Sequence, residues 1–328
     1  VNIHFTALEG APRLLLEADL WPIQGDRFQS TGFPDLGPAE YQLADGRQML
    51  LVESTQSMAN RLEAVCWDFG TDPQRVVPEL EGMPYVRVTT DRLGVSSSIL
   101  EFHRLNSPYI MADSDFKARL ASELGIAEQA IDGDVPGALD LRRLAQVVFK
   151  YDPGSVLHGV FLEKIAGRLR IPRLLSAFIE ARGVKAVESG GVKFDHLDPT
   201  GKVGGGANEG FGNVPHHRVE FTAEKITAYF SLDLAGLRGY GLPEHAQRFL
   251  VALALWKIRT LLETALRLRT ACDFEVRGEL RVTRPSGFSV PDRDALAADV
   301  KALIQECAPF FASPAVTEVR FNSGKKGK

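Results

Sequence analysis

The chain has 328 residues, of which 45% are hydrophobic and 24% charged, with a formal net charge of -4 at pH 7. That balance fits a soluble globular protein of one elaborated domain or two smaller ones, and it excludes a uniformly basic nucleic-acid coat. Three widely separated cysteines (Cys66, Cys272, Cys307) give neither a disulfide framework nor a zinc-ligand spacing. No apolar run is long enough for a bilayer, and the opening Val1 to Phe5 has no signal character, so we expect a cytoplasmic protein with reduced thiols.

Arg13 to Leu20 reads as an early strand or a short buried segment. Trp21 to Pro34 carries Pro and Gly and reads as an ordered loop. Its Arg27, Gln29, Ser30 and Thr31 are either donors to a ligand or part of a solvated surface. From Leu50 the chain is apolar, and Ser54 or Thr55 can cap a helix that runs toward Trp67. Met58, Leu62, Val65 and Cys66 recur at helical spacing and give that helix a core face. Ser54, Ser57 and Arg61 share a different face, with Gln56 and Asn60 beside it. A helix start flanked by hydroxyls, amides and an arginine suits a phosphate group; the alternative is an ordinary amphipathic helix with a polar exterior.

Tyr85 to Thr90 alternates like a strand, and Phe102 to Ile110 ends in a turn. Asp113 caps a helix over Phe116 to Leu124, and a second helix fits Leu139 to Lys150. Pro153-Gly154 breaks it, and Val156 to Ile165 is a third short helix. Between Arg142 and Lys193 ten basic residues face four acidic ones, a net +6 that suits either an RNA groove or internal charge pairing. Arg173 to Glu180 reads as a buried strand. Gly183 to Ser189, a turn at Gly190-Gly191 and Val192 to Phe194 read as a hairpin. Pro199 to Asn213 holds six glycines and reads as a mobile loop or linker.

The remainder has a clearer rhythm. Strands are expected at Arg218–Thr222 and Ile226–Leu234, a long helix at Pro243–Leu268, a strand at Phe274–Val282, a helix at Arg293–Cys307 and a strand at Val316–Phe321, followed by a basic tail. This order suggests an α+β sandwich of the ferredoxin-like kind, built as one core with long insertions.

Catalytic signatures are absent. Asp68-Phe69-Gly70 lacks every companion of a kinase site, and neither a phosphate-binding loop nor a dinucleotide fingerprint occurs. His216-His217 are adjacent, so on a strand they point to opposite faces and do not jointly bind a metal. The chain therefore reads as a binder, not an enzyme, with no metal or cofactor.

Several segments together resemble one family: the RAMP-type backbone subunit of CRISPR effector (Cascade) complexes of subtype I-U, also called I-G. The resemblance rests on Leu51 to Glu63, His103 to Ile110, Val148 to Leu162, Ser176 to Ala181 and Ser189 to Lys193, in that order along the chain. It implies an RNA-recognition-motif-like palm with large inserted finger and thumb segments, here roughly residues 68–170 and 196–216. It further implies a subunit that lines up with other copies as a helical filament along a CRISPR RNA, beside other Cascade subunits. Target DNA is then reached through pairing with the guide, and no membrane is involved.

In such relatives the helix after the first core strand lies along the RNA backbone, and Ser54, Gln56, Ser57, Asn60 and Arg61 occupy the matching positions. Arg27 and Gln29 from the early loop, with Arg104 and Asn106, are expected nearby. Lys150, Lys193, His216, His217 and Arg218 are further RNA-binding candidates, and the glycine-rich stretch near Gly204 is the expected thumb or inter-subunit segment. The alternative is a metal-independent endoribonuclease that processes precursor CRISPR RNA through His103, His158, His216 or His217. A third reading is a metabolic α/β enzyme with a small-molecule pocket.

Overall fold

β1 (Arg13–Pro22) sets the pattern of the main sheet: Leu14, Leu16, Ala18 and Leu20 are buried and alternate with half-buried Leu15, Glu17, Asp19 and Trp21. A period of two sends these two sets to opposite faces. The computed structural model describes residues 1–33, 35–90, 94–127, 140–167, 169–202, 209 and 211–322. After β1 come the short strands β2 (Gly32–Phe33), β3 (Gly37–Pro38) and β4 (Glu40–Gln42), then β5 (Gln48–Glu53) and α1 (Thr55–Ala64).

Between α1 and the next strand of the main sheet the chain builds a separate set of elements. These are β6 (Trp67–Asp68), β7 (Arg75–Val76), β8 (Tyr85–Thr90), β9 (Gly94–Ser97), α2 (Pro108–Met111), α3 (Ser114–Glu123), α4 (Leu141–Tyr151), α5 (Pro153–His158), β10 (Val160–Leu162) and β11 (Leu169–Ile171). The chain then returns as β12 (Leu175–Arg182), β13 (Lys185–Lys193), β14 (Val214–Thr222), β15 (Lys225–Asp233), α6 (Leu234–Gly239), α7 (Glu244–Thr264), β16 (Arg267–Arg269), β17 (Cys272–Arg284), α8 (Arg293–Cys307) and β18 (Val316–Phe321).

The main sheet is antiparallel throughout, in the order β16-β17-β1-β15-β12-β5-β4. Its buried face is formed by the apolar sets of β1, β12 (Leu175, Ala177, Ile179, Ala181) and β15 (Ile226, Ala228, Phe230, Leu232). α1 and α7 pack over that face, and α8 packs on α7. α7 is apolar on nearly every side, with Phe249, Leu250, Leu253, Trp256, Ile258 and Leu261 all buried. Each such side chain contributes about 1.5–3 kcal/mol of burial, so α7 is the core element. The opposite sheet face stays open and carries a stacked Phe178–Tyr229 pair, with ring centroids 5.0 Å apart.

The fold is a mixed α+β structure, but three expectations change. The hairpin expected within 183–194 is a single strand: β13 runs through Gly190-Gly191 and pairs with β14, Gly190 opposite His217 and Gly191 opposite His216. A Cβ at Gly190 would lie 2.6 Å from the His216 carbonyl oxygen, so this glycine permits close strand approach and makes no turn. The helix expected over Val156–Ile165 ends at His158, because Gly159 adopts φ +80 and a Cβ there would lie 2.9 Å from backbone atoms of Ile171 and Arg173.

The last strand does not join the main sheet, as a ferredoxin-like sandwich would require. β18 pairs in parallel with β8, next to β9. There Val319 lies beside Val88, both buried, so the C-terminal strand closes over the segment between α1 and β12. The expected glycine-rich thumb near Gly204 and the basic tail beyond Asn322 fall largely outside the described residues.

Candidate nucleic-acid interface

α1 is capped as its sequence suggests: the Ser54 hydroxyl accepts the Ser57 N–H at 3.3 Å. Met58, Ala59 and Leu62 are buried against the sheet. Gln56 and Asn60 are exposed, and Ser54, Ser57 and Arg61 are half-buried, so the hydroxyl and amide face looks outward. Arg173 braces the first turn by donating from Nη1 to the Thr55 carbonyl at 2.9 Å.

At the root of α1 lies a group of arginines held by two buried carboxylates. Glu53, at the end of β5 and only 1% exposed, receives Arg269 in a close ion pair and has Arg61 Nε 3.4 Å away. Arg61 Nη2 also donates to the Leu268 carbonyl, and Arg269 Nη1 to the Gln29 carbonyl at 3.1 Å. Arg218 donates to the Gln29 side chain at 2.7 Å. The second carboxylate, Glu220, sits 3.5 Å from Arg218 and 3.4 Å from Arg27. It also accepts the Ser189 hydroxyl at 3.0 Å.

The early loop is docked here because Phe28 exchanges backbone hydrogen bonds with Phe221 of β14. A cleft of about 410 Å3 opens between that loop and β16–β17, lined among others by Arg27, Arg267, Arg269 and Glu220. Four arginines (Arg27, Arg61, Arg218, Arg269) thus pair with Glu53 or Glu220, and a fifth, Arg267, lines the same cleft. Asp26 and Asp273 line the same cleft, so these five cations face four carboxylates.

The model of the family described as CRISPR-associated protein GSU0053 matches residues 14–186, more than half of the chain. The chain belongs to this family. Four of the five segments on which the sequence resemblance rests lie inside that span. No curated protein matches. Two solved structures are similar to it. One, described as "CRISPR RNA-guided surveillance complex, pre-nicking", has 15% identity over 80% of this chain and 74% of that chain, with a TM-score of 0.39. The other is the crystal structure of Thermofilum pendens Csc2, with 9% identity over 93% of this chain and 79% of that chain, and a TM-score of 0.33.

Within this GSU0053-family chain the other expected contacts scatter. Arg104 and Asn106 are interior residues, 8% and 7% exposed, which withdraws both from the RNA surface. Arg104 makes a bidentate pair with Glu63 of α1 (Nε–Oε1 2.6 Å, Nη2–Oε2 2.8 Å) and donates to the Gly159 carbonyl at 3.1 Å. Asn106 accepts the Lys164 N–H at 3.1 Å. Lys150 is bound by both oxygens of Glu123, at 2.8 and 2.9 Å, and not by the arginine group's carboxylates. Lys193, His216 and His217 are exposed on the β13–β14 ribbon.

Beyond Lys193 the ribbon carries Phe194, Leu197 and Phe211 exposed. Asp195 organises this end by accepting the N–H groups of Leu197, Asp198 and Gly212, which hold its carboxyl below the usual carboxylate range.

Behind α1 lies a dry ionic layer. Lys257 of α7 is 1% exposed, with Nζ 3.1 Å from His158 Nε2. Burial, and then the Lys257 charge, push His158 well below its usual value, so it stays neutral. Burial pushes Glu63 and Asp152 up. A sealed, neutral His158 has no access to an RNA hydroxyl.

Sequence reasoning missed Arg267 and Arg269, placing Arg267 inside the long helix. The signal was present: Arg267-Leu268-Arg269 alternates charged and apolar, and Leu268 is buried between two outward arginines.

Proposed function

We propose that this chain is the CRISPR RNA-binding backbone subunit of a type I-U (I-G) Cascade complex, working in the cytoplasm. One observation carries the reading: the outward polar face of α1 and the arginine group around Glu53 form one continuous surface, joined through the Arg61–Leu268 and Arg269–Glu53 contacts. Phosphates lie along Gln56, Ser57, Asn60 and the arginine cleft, where charge-assisted contacts hold backbone without reading bases.

In this reading the main sheet with α1 and α7 is an RNA-recognition-like palm, and the β13–β14 ribbon is the thumb. The subunit is non-catalytic. Copies add head to tail along the guide through a contact that does not close on itself, which gives a helical filament beside other Cascade subunits, and target DNA is engaged through the guide.

The test is to express the full chain with and without a guide RNA and to measure size and RNA content. Expected are RNA-bound assemblies much larger than one chain, with affinity falling steeply as salt rises. A chain that stays small and RNA-free beside its guide refutes the proposal. Cleavage of added precursor RNA would refute the non-catalytic role.

A further inference from the structure

A second concavity, of about 220 Å3, lies where β7 and the turn after it meet β8 and β18. It shares no lining residue with the arginine cleft. Val76, Met83 and Val316 are among its apolar walls, and its polar lining is Arg75, Glu81, Tyr85 and Arg87. Tyr85 is 2% exposed and the Arg87 side chain 18%. Arg87 donates from Nη2 to the Tyr85 hydroxyl at 2.8 Å and to the Gln74 carbonyl at 3.4 Å, and from Nη1 to Glu318 at 3.0 Å. Its Nε is buried with no partner among the described residues. The Tyr85 oxygen is taken by Arg87, and no acceptor for its own proton stands among the described residues. Burial pushes this phenol above its usual value, so the proton stays in place. Two interior donors therefore lack acceptors, a state that folded proteins avoid.

We propose that this cavity binds a small organic carboxylate carrying a short apolar stem. The carboxylate accepts from Arg87 Nε and the Tyr85 hydroxyl, Arg75 closes the rim, and the stem lies against Val76, Met83 and Val316. Arg75 is exposed, with no hydrogen bond or ion pair among the described residues. The acids around the site are held elsewhere or solvated: Glu81 is exposed, the Glu318 side chain is 55% exposed, and Asp68, opposite Arg75, accepts the Gly70 N–H. Their repulsion is screened by water, whereas the two interior donors are shielded from it. Hydrogen bonds to an ionised acceptor are also roughly twice as strong as neutral ones. Inorganic phosphate fits less well, because its further oxygens would face apolar walls without donors. The site stands apart from the RNA-binding reading and does not depend on it.

The experiment is a ligand-observed NMR titration of the full chain with butyrate, acetate, butylammonium and inorganic phosphate at constant ionic strength. Butyrate should bind about fifteenfold more tightly than acetate, the value of two buried methylenes. Butylammonium, the same stem with the opposite charge, should not bind. Tyr85→Phe keeps the ring and should weaken butyrate about tenfold, one charge-assisted hydrogen bond. Tyr85 is a core residue, so the exposed Arg75 supplies a second variant: Arg75→Gln should weaken butyrate up to about fivefold with the melting temperature unchanged. Absence of saturable butyrate binding, or butyrate binding unchanged in both variants, overturns the site. Butylammonium or phosphate binding as tightly as butyrate overturns the carboxylate assignment, and equal affinity for acetate and butyrate overturns the apolar stem.

Discussion

Arg104→Ala separates a structural role from an RNA-binding one. The guanidinium meets both carboxylate oxygens of Glu63, at 2.6 and 2.8 Å, where Glu63 is 4% exposed. Deleting it leaves an uncompensated carboxylate inside the protein, at a cost of about 3–5 kcal/mol. Replacing both partners, as in Arg104→Met with Glu63→Leu, removes the stranded charge and should recover most of that loss. Urea unfolding of the single and double variants measures it, alongside RNA affinity across salt.

The pH dependence supplies a second check. Burial pushes the Glu63 carboxyl above 4.5 while Arg104 pulls it down. An acid raised in the folded state contributes stability below its unfolded value and loses it as pH rises toward the folded one. Without Arg104 the folded value climbs further, so the deficit of Arg104→Ala should be smaller near 4.5 than at neutral pH. A variant that unfolds within about 1 kcal/mol of the native chain, but whose salt slope falls by about one, would refute the buried-pair argument and return Arg104 to the RNA surface.

Arg27→Ala should lower RNA affinity uniformly across sequences and reduce the salt slope by about one, with little stability change because the Arg27 side chain is largely exposed and Glu220 keeps Arg218 and Ser189 as partners; anisotropy and thermal melting check both. Lys150→Ala should leave the salt slope unchanged and cost no more than about 1 kcal/mol in urea unfolding, since its partner is Glu123. His158, depressed well below 6.5, contributes stability above 6.5 that is lost as pH falls. His158→Gln should therefore flatten the acid side of the unfolding profile by up to about 1.4 kcal/mol per pH unit relative to the native chain. Leu197→Asp, at a side chain 99% exposed, should leave the melting temperature unchanged while shortening RNA-bound assemblies measured by mass photometry.

Much of the fold is legible locally. α8 and β18 have the bounds their patterns give, Arg293–Cys307 and Val316–Phe321, because Asp292 caps the one and alternation marks the other. β1 and β15 are likewise read from period-two burial. What fails is pairing. Gly190-Gly191 looks like a turn in any window of ten residues, yet its partner strand lies more than twenty residues on, opposite His216 and His217. Nothing in Val316–Phe321 says that its neighbour is β8.

The sequence by itself determined a capped amphipathic α1, the side it turns outward, and the CRISPR-associated family, because caps, periodicity and ordered motifs are written in nearby residues. Only the tertiary structure decided which cations are free to meet a ligand. Arg104 is neutralised by Glu63, 41 positions away, and Arg269 reaches Glu53 across 216. Charge in a protein is available or spent according to what stands within a few ångströms, and chain distance carries no information about that.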